Sequence, residues 1–312
     1  MSVLGIDIGG TKLAAGVVDA DGRMLERGEV PTLAYEGLEP VLERIVGLGR
    51  ELLARAAAQK EPVQRIGIGC AGPVDLKAGK VFDPPNLPGW SDVSLVRHIE
   101  SALGLPAVLE NDANAAALGE FRYGAGRGVR SLVYFTVSTG IGGGIILDGK
   151  VWHGLKDAAG EAGHMTVCPD GPVCGCGNRG CLEAMASGPS IARRAREAVA
   201  AGRLTRLREV PVVTSADVVR LAQEGDAVAR EVWEAAVKYL GIGVASVITV
   251  LAPERIVLGG GVTRAGDFLF EPLRVEVRRR VKLMPVESVL VLPAALGPDV
   301  GILGAAAVAM GE

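Results

Sequence analysis

The chain has 312 residues, 49% hydrophobic and only 4% aromatic, with a formal net charge of −3. That length points to about two domains, and the apolar fraction is ample for a core built mainly of Ala, Val, Leu and Ile. The charge balance gives no electrostatic reason to expect nucleic acid as a partner.

The first stretch, from Val3, reads as a strand, a Gly-rich polar turn, a second strand, an Asp21-Gly22 turn and a third strand. The start meets Asp7 at once and carries no basic leader, so it does not read as a secretory signal. In the turn Asp7-Ile8-Gly9-Gly10-Thr11-Lys12, glycines let backbone N–H groups crowd an anion, and Thr11 and Lys12 add a hydroxyl and a positive charge. Asp7 suits Mg²⁺ held through water, since hard cations prefer oxygen. An ordinary β-turn has the same composition.

Apolar residues from Leu38 to Ala58 recur at helical spacing. Arg65–Ala71 and Ala107–Glu110 read as strands. A helix is predicted over Ala113–Tyr123, with Asp112 near its start and Gly124 beyond its end. Asp112 either caps that helix or projects as a general base toward a hydroxyl nucleophile.

From Leu132 the first pattern returns: strand, Gly-rich turn at Ser138–Gly144, strand, Asp148-Gly149, strand. Two such turns suit the two sides of a polyphosphate. The duplication predicts two related domains facing each other across a cleft, with a boundary near residues 112–130. Gly144–Lys150 resembles a P-loop, but Val151 stands where Ser or Thr is required, so it reads as a hairpin.

The segment from Gly160 to Glu183 is poor in apolar residues and carries His164, Cys174, Cys176 and Cys181. Four N/S donors in one short loop are what a closed tetrahedral zinc site needs, and a lone buried histidine is the alternative for His164. Glu161 and Glu183 flank the donors. The G-x-G-x-x-G match at Gly175–Gly180 lies inside this loop, without the strand–helix context of a dinucleotide site. Cys168, in a predicted short strand Met165–Cys168, and Cys70 read as structural thiols. Crowded cysteines fit a metal in a reducing compartment better than a disulfide framework.

Helices are predicted over Ser190–Ala201, Ser215–Glu224 and Asp226–Leu251, the last stopped by Pro253. The strand Arg255–Leu258 runs into Gly259-Gly260-Gly261, a close-approach site suited to adenosine or a simple strand-to-helix turn. A helix is expected over Gly301–Met310. The runs Arg193-Arg194-Ala195-Arg196 and Arg278-Arg279-Arg280 read as solvated helix faces. Tyr239–Pro253 falls short of the roughly 18 uninterrupted apolar residues that a membrane span needs, so no membrane association is expected. Strands alternating with helices make this an α/β protein.

Together these residues resemble the ROK family of repressors, open-reading-frame proteins and sugar kinases, over essentially the whole chain. The resemblance rests on D-I-G-G-T-K at 7–12, G-C-A-G-P-V-D at 69–75, P-N-L-P-G-W at 85–90 and E-N-D-A-N-A-A-A-L-G-E at 110–120. It continues through S-T-G-I-G-G-G at 138–144, G-E-A-G-H at 160–164, C-G-C-G-N-R-G-C-L-E at 174–183 and L-G-G-G-V at 258–262. It implies an actin-like ATPase (ribonuclease H-like) fold, two α/β domains around a central cleft. A smaller domain would cover 1–115 and a larger one 116–300 with a zinc loop at 164–181, the terminal helix 301–312 returning to the first.

The resemblance also implies transfer of the ATP γ-phosphoryl group to a sugar hydroxyl, with Asp112 as the base. Asn111, Glu161, His164 and Glu183 would bind the sugar alongside Asp112, with Gly72 and Asn86 lining the site. Asp7 would serve Mg²⁺, and Gly9, Gly10, Thr11, Lys12, Thr139, Gly140 and Gly142 the ATP phosphates. Gly260 and Gly261 would lie near the adenosine. His164, Cys174, Cys176 and Cys181 would ligate a structural Zn²⁺. Within the family, the 110–120 and 174–183 segments look most like bacterial ATP-dependent glucose kinases. Transfer to the 6-hydroxyl of glucose is the first expectation, with mannose, N-acetylglucosamine and N-acetylmannosamine open. A sugar-sensing regulator is the other class; such relatives carry a helix-turn-helix ahead of the first meander, for which a strand beginning at Val3 leaves no room. A cytoplasmic homodimer or homotetramer is expected, with sugar and ATP as partners and no nucleic acid.

Overall fold

The computed structural model describes residues 1–84 and 86–311, so Pro85 of the 85–90 motif and Glu312 of the terminal segment lie outside the described residues. The chain forms two compact units, one of Met1–Tyr134, Gly144–Gly160 and Ala294–Glu312, the other of Phe135–Gly143 and Glu161–Pro293. The first unit thus runs past residue 115, the end expected from the sequence, and takes in the whole helix that follows Asp112.

In the first unit, β1 (Ser2–Ile8), β2 (Lys12–Val18) and β3 (Met24–Pro31) form the expected antiparallel meander. Helix α1 (Leu38–Ala58) leads to β4 (Val63–Cys70), parallel to β1. A small hairpin of β5 (Val74–Asp75) and β6 (Lys80–Val81) follows, then α2 (Leu95–Leu103), β7 (Ala107–Asn111), parallel to β4, and α3 (Asp112–Tyr123). The sheet order is β3-β2-β1-β4-β7. One face is covered by α1 and α2, whose Val41, Ile45, Leu52, Leu95 and Ile99 close over Leu4, Ile6, Ile66 and Ile68.

The terminal helix covers the other face. Its residues Ile302, Leu303 and Ala306 pack on Val3, Ala14 and Val18. The approach is so close that a Cβ added at Gly67 would lie 1.8 Å from the carbonyl oxygen of Ala305, and one at Gly5 2.3 Å from that of Ile302. Glycines on the strands are what allow a helix backbone to rest on the sheet.

The second meander begins with β8 (Leu132–Val137), β9 (Ile141–Leu147) and β10 (Lys150–Val151). The β9–β10 turn has positive φ at both Asp148 (50°) and Gly149 (83°), the mirror-image turn that fits strand twist. Only Phe135–Gly143 of this meander belongs to the second unit, which also holds α4 (Leu182–Ala186), α5 (Gly188–Ala200), α6 (Ser215–Gln223), α7 (Ala227–Leu251), β11 (Arg255–Gly259), α8 (Asp267–Arg280) and β12 (Leu290–Pro293). The chain closes with α9 (Val300–Ala309), the terminal helix of the first unit. The second sheet has the order β10-β9-β8-β11-β12, which repeats the order of the first: three meander strands, then two more.

Three readings need correction. Met165–Cys168 is not a strand; only an isolated bridge pairs Thr166 with Cys181, because glycine, proline and turns leave no run long enough for a ladder. Arg194 is not on a solvated face: its side chain is half-buried and donates to the Met185 carbonyl, while Arg193 donates to that of Ala184, so the pair satisfies carbonyls at the end of α4. Helix α7, at 25 residues, is long and apolar enough by length and composition to cross a membrane, the one such helix among the described residues. It packs instead against α4, α5, α6 and α8, with Val232, Trp233, Leu240, Val244 and Ile248 buried, which is the behaviour of a core helix.

Candidate active site

In the first unit, Asp7, Asn111 and Asp112 come together at the C-terminal ends of adjacent parallel strands. Ile8 pairs with Cys70, and Cys70 with Asn111. Ligands in open α/β sheets bind outside such strand ends. The turn after β1 is held tightly: Gly9 N–H donates to the Lys12 carbonyl at 3.1 Å, and the Thr32 hydroxyl to the Gly9 carbonyl at 2.6 Å. Asn86 lies directly over the turn, its Cβ 2.5 Å from where a Cβ on Gly10 would be. Asn111 Nδ2 reaches the Gly72 carbonyl at 3.5 Å. The sequence-predicted residues Asp7, Gly9, Gly10, Thr11, Lys12, Gly72, Asn86, Asn111 and Asp112 therefore form one group. Lys12 is paired with Glu29 of the neighbouring strand at 3.4 Å.

Asp112 does not cap α3. Asn111 does so, its side chain accepting from the N–H groups of Ala113 and Asn114, and Asp112 is the first helical residue, its Oδ1 also accepting from Ala113 N–H at 2.8 Å. Burial, and then the negative charge of Asp112, push the Asp7 carboxyl up to about 6, against a smaller opposite effect of Lys12. Two carboxylates held this near with one exposed lysine leave excess negative charge, which suits a hard cation.

Sequence reasoning missed the support behind this group. Glu110 is buried; Oε1 accepts from Asn111 N–H at 2.9 Å and Asn114 Nδ2 at 3.1 Å, and Oε2 meets His153 Nε2 at 2.8 Å. The only signal was one of three histidines in the chain, with nothing in its spacing to tie it to Glu110.

In the second unit, His164, Cys174, Cys176 and Cys181 present ligand atoms that all lie within 4.8 Å of one another. Cys176 Sγ is 3.7 Å from Cys181 Sγ, and Cys174 Sγ is 3.7 Å from His164 Nδ1. Tetrahedral zinc with ordinary bond lengths separates sulfurs by about 3.8 Å and sulfur from nitrogen by about 3.6 Å, so the donor set fits such an ion. Burial pushes the thiols of Cys174 and Cys181 up, the second to about 12, while the Asn178 backbone N–H holds Cys176 down. Cys168 stands apart from the donor set, accepting from the Tyr239 hydroxyl at 3.6 Å, and Cys70 is fully buried in the first unit.

The other nitrogen of His164, Nε2, faces Glu161 Oε2 at 3.9 Å. The 160–164 turn packs on Ile141, whose carbonyl oxygen lies 1.8 Å from a Cβ added at Gly163. Glu183 Oε2 accepts from the Ile141 N–H at 2.9 Å. Gly260, at φ 94°, sits against the carbonyl of Val137, and Gly261 beside Ser138. The predicted residues Thr139, Gly140, Gly142, Glu161, His164, Glu183, Gly260 and Gly261 therefore form a second group around the 138–141 turn.

The sequence profile of the ROK family matches residues 3–312. The chain belongs to the ROK family. It is 38% identical over 314 residues to a glucokinase of Thermotoga maritima, covering 99% of this chain and 97% of that one. It is 36% identical to an N-acetylmannosamine kinase of Citrobacter koseri, covering 100% of both, and 32% identical to a putative xylose repressor of Caldicellulosiruptor, covering 99% of this chain and 78% of the repressor. Among solved structures it resembles a ROK hexokinase from Thermus thermophilus, with a TM-score of 0.86, 41% identity and coverage of 99% and 98%. It also resembles a ROK glucokinase from Streptomyces griseus in complex with glucose and AMPPNP, with a TM-score of 0.83, 36% identity and full coverage of both chains. The fold is accordingly the actin-like ATPase fold expected of a ROK protein, and the repeated sheet order is its duplicated half.

Proposed function

We propose that this ROK protein is an ATP-dependent sugar kinase that transfers the γ-phosphoryl group to the 6-hydroxyl of a hexose, with glucose as the preferred acceptor. The observation that carries the reading is the strand-end group: Asp112, the first residue of α3 behind the Asn111 cap, beside a half-buried Asp7 whose carboxyl its charge helps to raise. Phosphoryl transfer asks a protein for a base, a cation site and alignment, and this group supplies the first two.

In the reaction, the Asp112 carboxylate accepts the proton of the sugar hydroxyl as its oxygen bonds to the γ-phosphorus, and the bond from that phosphorus to the bridging oxygen of ADP breaks. Asn111, Glu161, His164 and Glu183 hold sugar hydroxyls, with Gly72 and Asn86 beside them. Backbone N–H groups of the two turns, at Gly9, Gly10, Thr11 and at Thr139, Gly140 and Gly142, hold the phosphates with Lys12, and Gly260 and Gly261 border the adenosine. Mg²⁺ would be held through Asp7 and would neutralise phosphate charge. Zn²⁺ would be held by His164, Cys174, Cys176 and Cys181 and would act structurally, fixing the His164 ring with Nε2 turned toward substrate. In the cell the reading is of a cytoplasmic homodimer or homotetramer.

The test is ADP release with Mg-ATP across glucose, mannose, fructose, N-acetylglucosamine and N-acetylmannosamine, with Asp112→Asn alongside. Turnover on glucose, lowered at least 100-fold in the variant, is expected. The full-length similarity to an N-acetylmannosamine kinase favours that sugar as the second reading, and turnover confined to it would decide for it. Sugar binding without turnover on any acceptor would move the protein to the regulator class, which the xylose-repressor relative represents.

A further inference from the structure

Glu183 makes contacts that sugar binding does not require. It is the second residue of α4, and Cys181, one of the four metal-ligand candidates, sits at the N-cap position just before that helix. Its Oε1 lies 3.8 Å from Cys174 Sγ, a second candidate. Its Oε2 accepts from the Ile141 N–H at 2.9 Å, and a Cβ added at Gly140 would come within 2.6 Å of that same oxygen. The carboxylate thus rests on the backbone of the 138–141 turn, where only glycine leaves it room. A second anchor comes from the same stretch of chain: Gly188 N–H, at the start of α5, donates to the Ser138 carbonyl at 2.8 Å. A polar cavity of about 190 Å³ opens beside these anchors, bordered by Thr139, Cys174, Ser187 and Arg193.

The path is short and entirely within one unit. The ligand cluster fixes Cys174 and the start of α4; α4 aims Glu183; Glu183 and Gly188 hold the turn. A turn whose N–H groups are to meet phosphate must be kept from collapsing onto its own carbonyls, and Ser138 N–H already donates to the Gly140 carbonyl at 2.8 Å. An external charged acceptor on Ile141 N–H sets the shape of that turn more strongly than a neutral one would.

We propose that Glu183 is a positioning residue coupling metal occupancy of the His164/Cys174/Cys176/Cys181 cluster to nucleotide affinity at the 138–141 turn. This rests on the reading of the turn as a phosphate site and of the cluster as a zinc site. Coupling between sites is reciprocal, so nucleotide must also hold the metal in place.

The experiment uses the full chain without sugar, so that any loss of sugar contacts through Glu183 is not read. Affinity for Mg-AMPPNP is measured by calorimetry on the zinc-loaded protein, on chelator-treated protein, and on Glu183→Ala and Glu183→Gln in both states. We expect chelation of the unsubstituted protein to weaken AMPPNP about tenfold, in the usual range of coupling between sites. Glu183→Ala weakens it by a similar factor, with less than twofold further loss on chelation. Glu183→Gln, which keeps an acceptor for the Ile141 N–H, recovers most of the affinity. In the reciprocal measurement, saturating AMPPNP slows zinc release to a chelator about tenfold in the unsubstituted protein and leaves it unchanged in Glu183→Ala. Additive effects of chelation and Glu183→Ala, or zinc release indifferent to nucleotide, would overturn the coupling while leaving both sites standing. An unsubstituted protein that binds no AMPPNP, or that carries no zinc, sinks the underlying site reading, and the coupling with it.

Discussion

Asp7→Asn separates the stability of the first unit from its chemistry. Burial first, and the Asp112 charge second, move the Asp7 carboxyl from 3.8 to about 6. At about 1.36 kcal/mol per pH unit, the charged carboxylate costs the folded chain about 3 kcal/mol. The sign follows from proton linkage: between pH 3.8 and about 6 the folded chain binds the proton that the unfolded chain has lost. Stability therefore falls as pH rises through that window, and the whole cost is present above it. Asparagine keeps the shape of the side chain, which matters because the carboxylate lies against Gly301. Asp7→Asn should then stabilise the first unit by up to about 3 kcal/mol at pH 7.5, and by almost nothing at pH 4. The assay is amide hydrogen exchange in β1 and β4, variant against unsubstituted protein at each pH, without nucleotide and with divalent cations chelated. Thermal melts under the same conditions should shift by roughly 5–10 °C at pH 7.5. A gain equal at the two pH values, or no gain at pH 7.5, would refute the argument. On the proposed assignment of Asp7 to the cation, the same substitution should also abolish Mg-ATP-dependent turnover, the residue being retained at a cost in stability.

Cys176→Ala should lose zinc, read by metal analysis, and at least tenfold in sugar affinity, read by calorimetry; zinc retained, or normal affinity without it, refutes the coupling of metal to sugar recognition. Gly67→Ala should destabilise the first unit by about 3 kcal/mol or more, because the new methyl meets the Ala305 carbonyl at 1.8 Å and α9 must lift from the sheet. Equilibrium urea unfolding reads it, and a change below about 1 kcal/mol would mean that the helix shifts freely. Asp112→Asn, by contrast, should leave unfolding within about 1 kcal/mol while turnover falls, because Asn111 supplies the cap.

Much of the arrangement was legible in the chain because its signals are local. Apolar spacing alone placed α1 at Leu38–Ala58, the observed bounds. Asp148-Gly149 placed the β9–β10 turn, since an Asp-Gly pair accepts positive φ where most residues do not. The cysteine spacing placed the ligand cluster, because four donors so close in sequence, tied by glycines, can hardly avoid one another. The resemblance then assigned roles to residues that form two groups in the structure.

What the sequence could not carry was set by approach between distant segments. Met165–Cys168 has a strand's composition, yet without a neighbour to extend a ladder it makes only the Thr166–Cys181 bridge. Arg194 reads as a surface charge until α4 ends against it and offers its carbonyls. Asp112 reads as a cap until the backbone at the β7–α3 junction gives that work to Asn111. His153 and Glu110 are 43 positions apart and meet at 2.8 Å only because the chain beyond β10 returns to the end of β7. Periodicity and turn chemistry act over a few residues, so the sequence by itself determined the elements, the ligand loop and the family. Which carboxylate is buried, which one rests on a turn and which residue takes the helix cap depend on packing across the chain, and only the tertiary structure decided them.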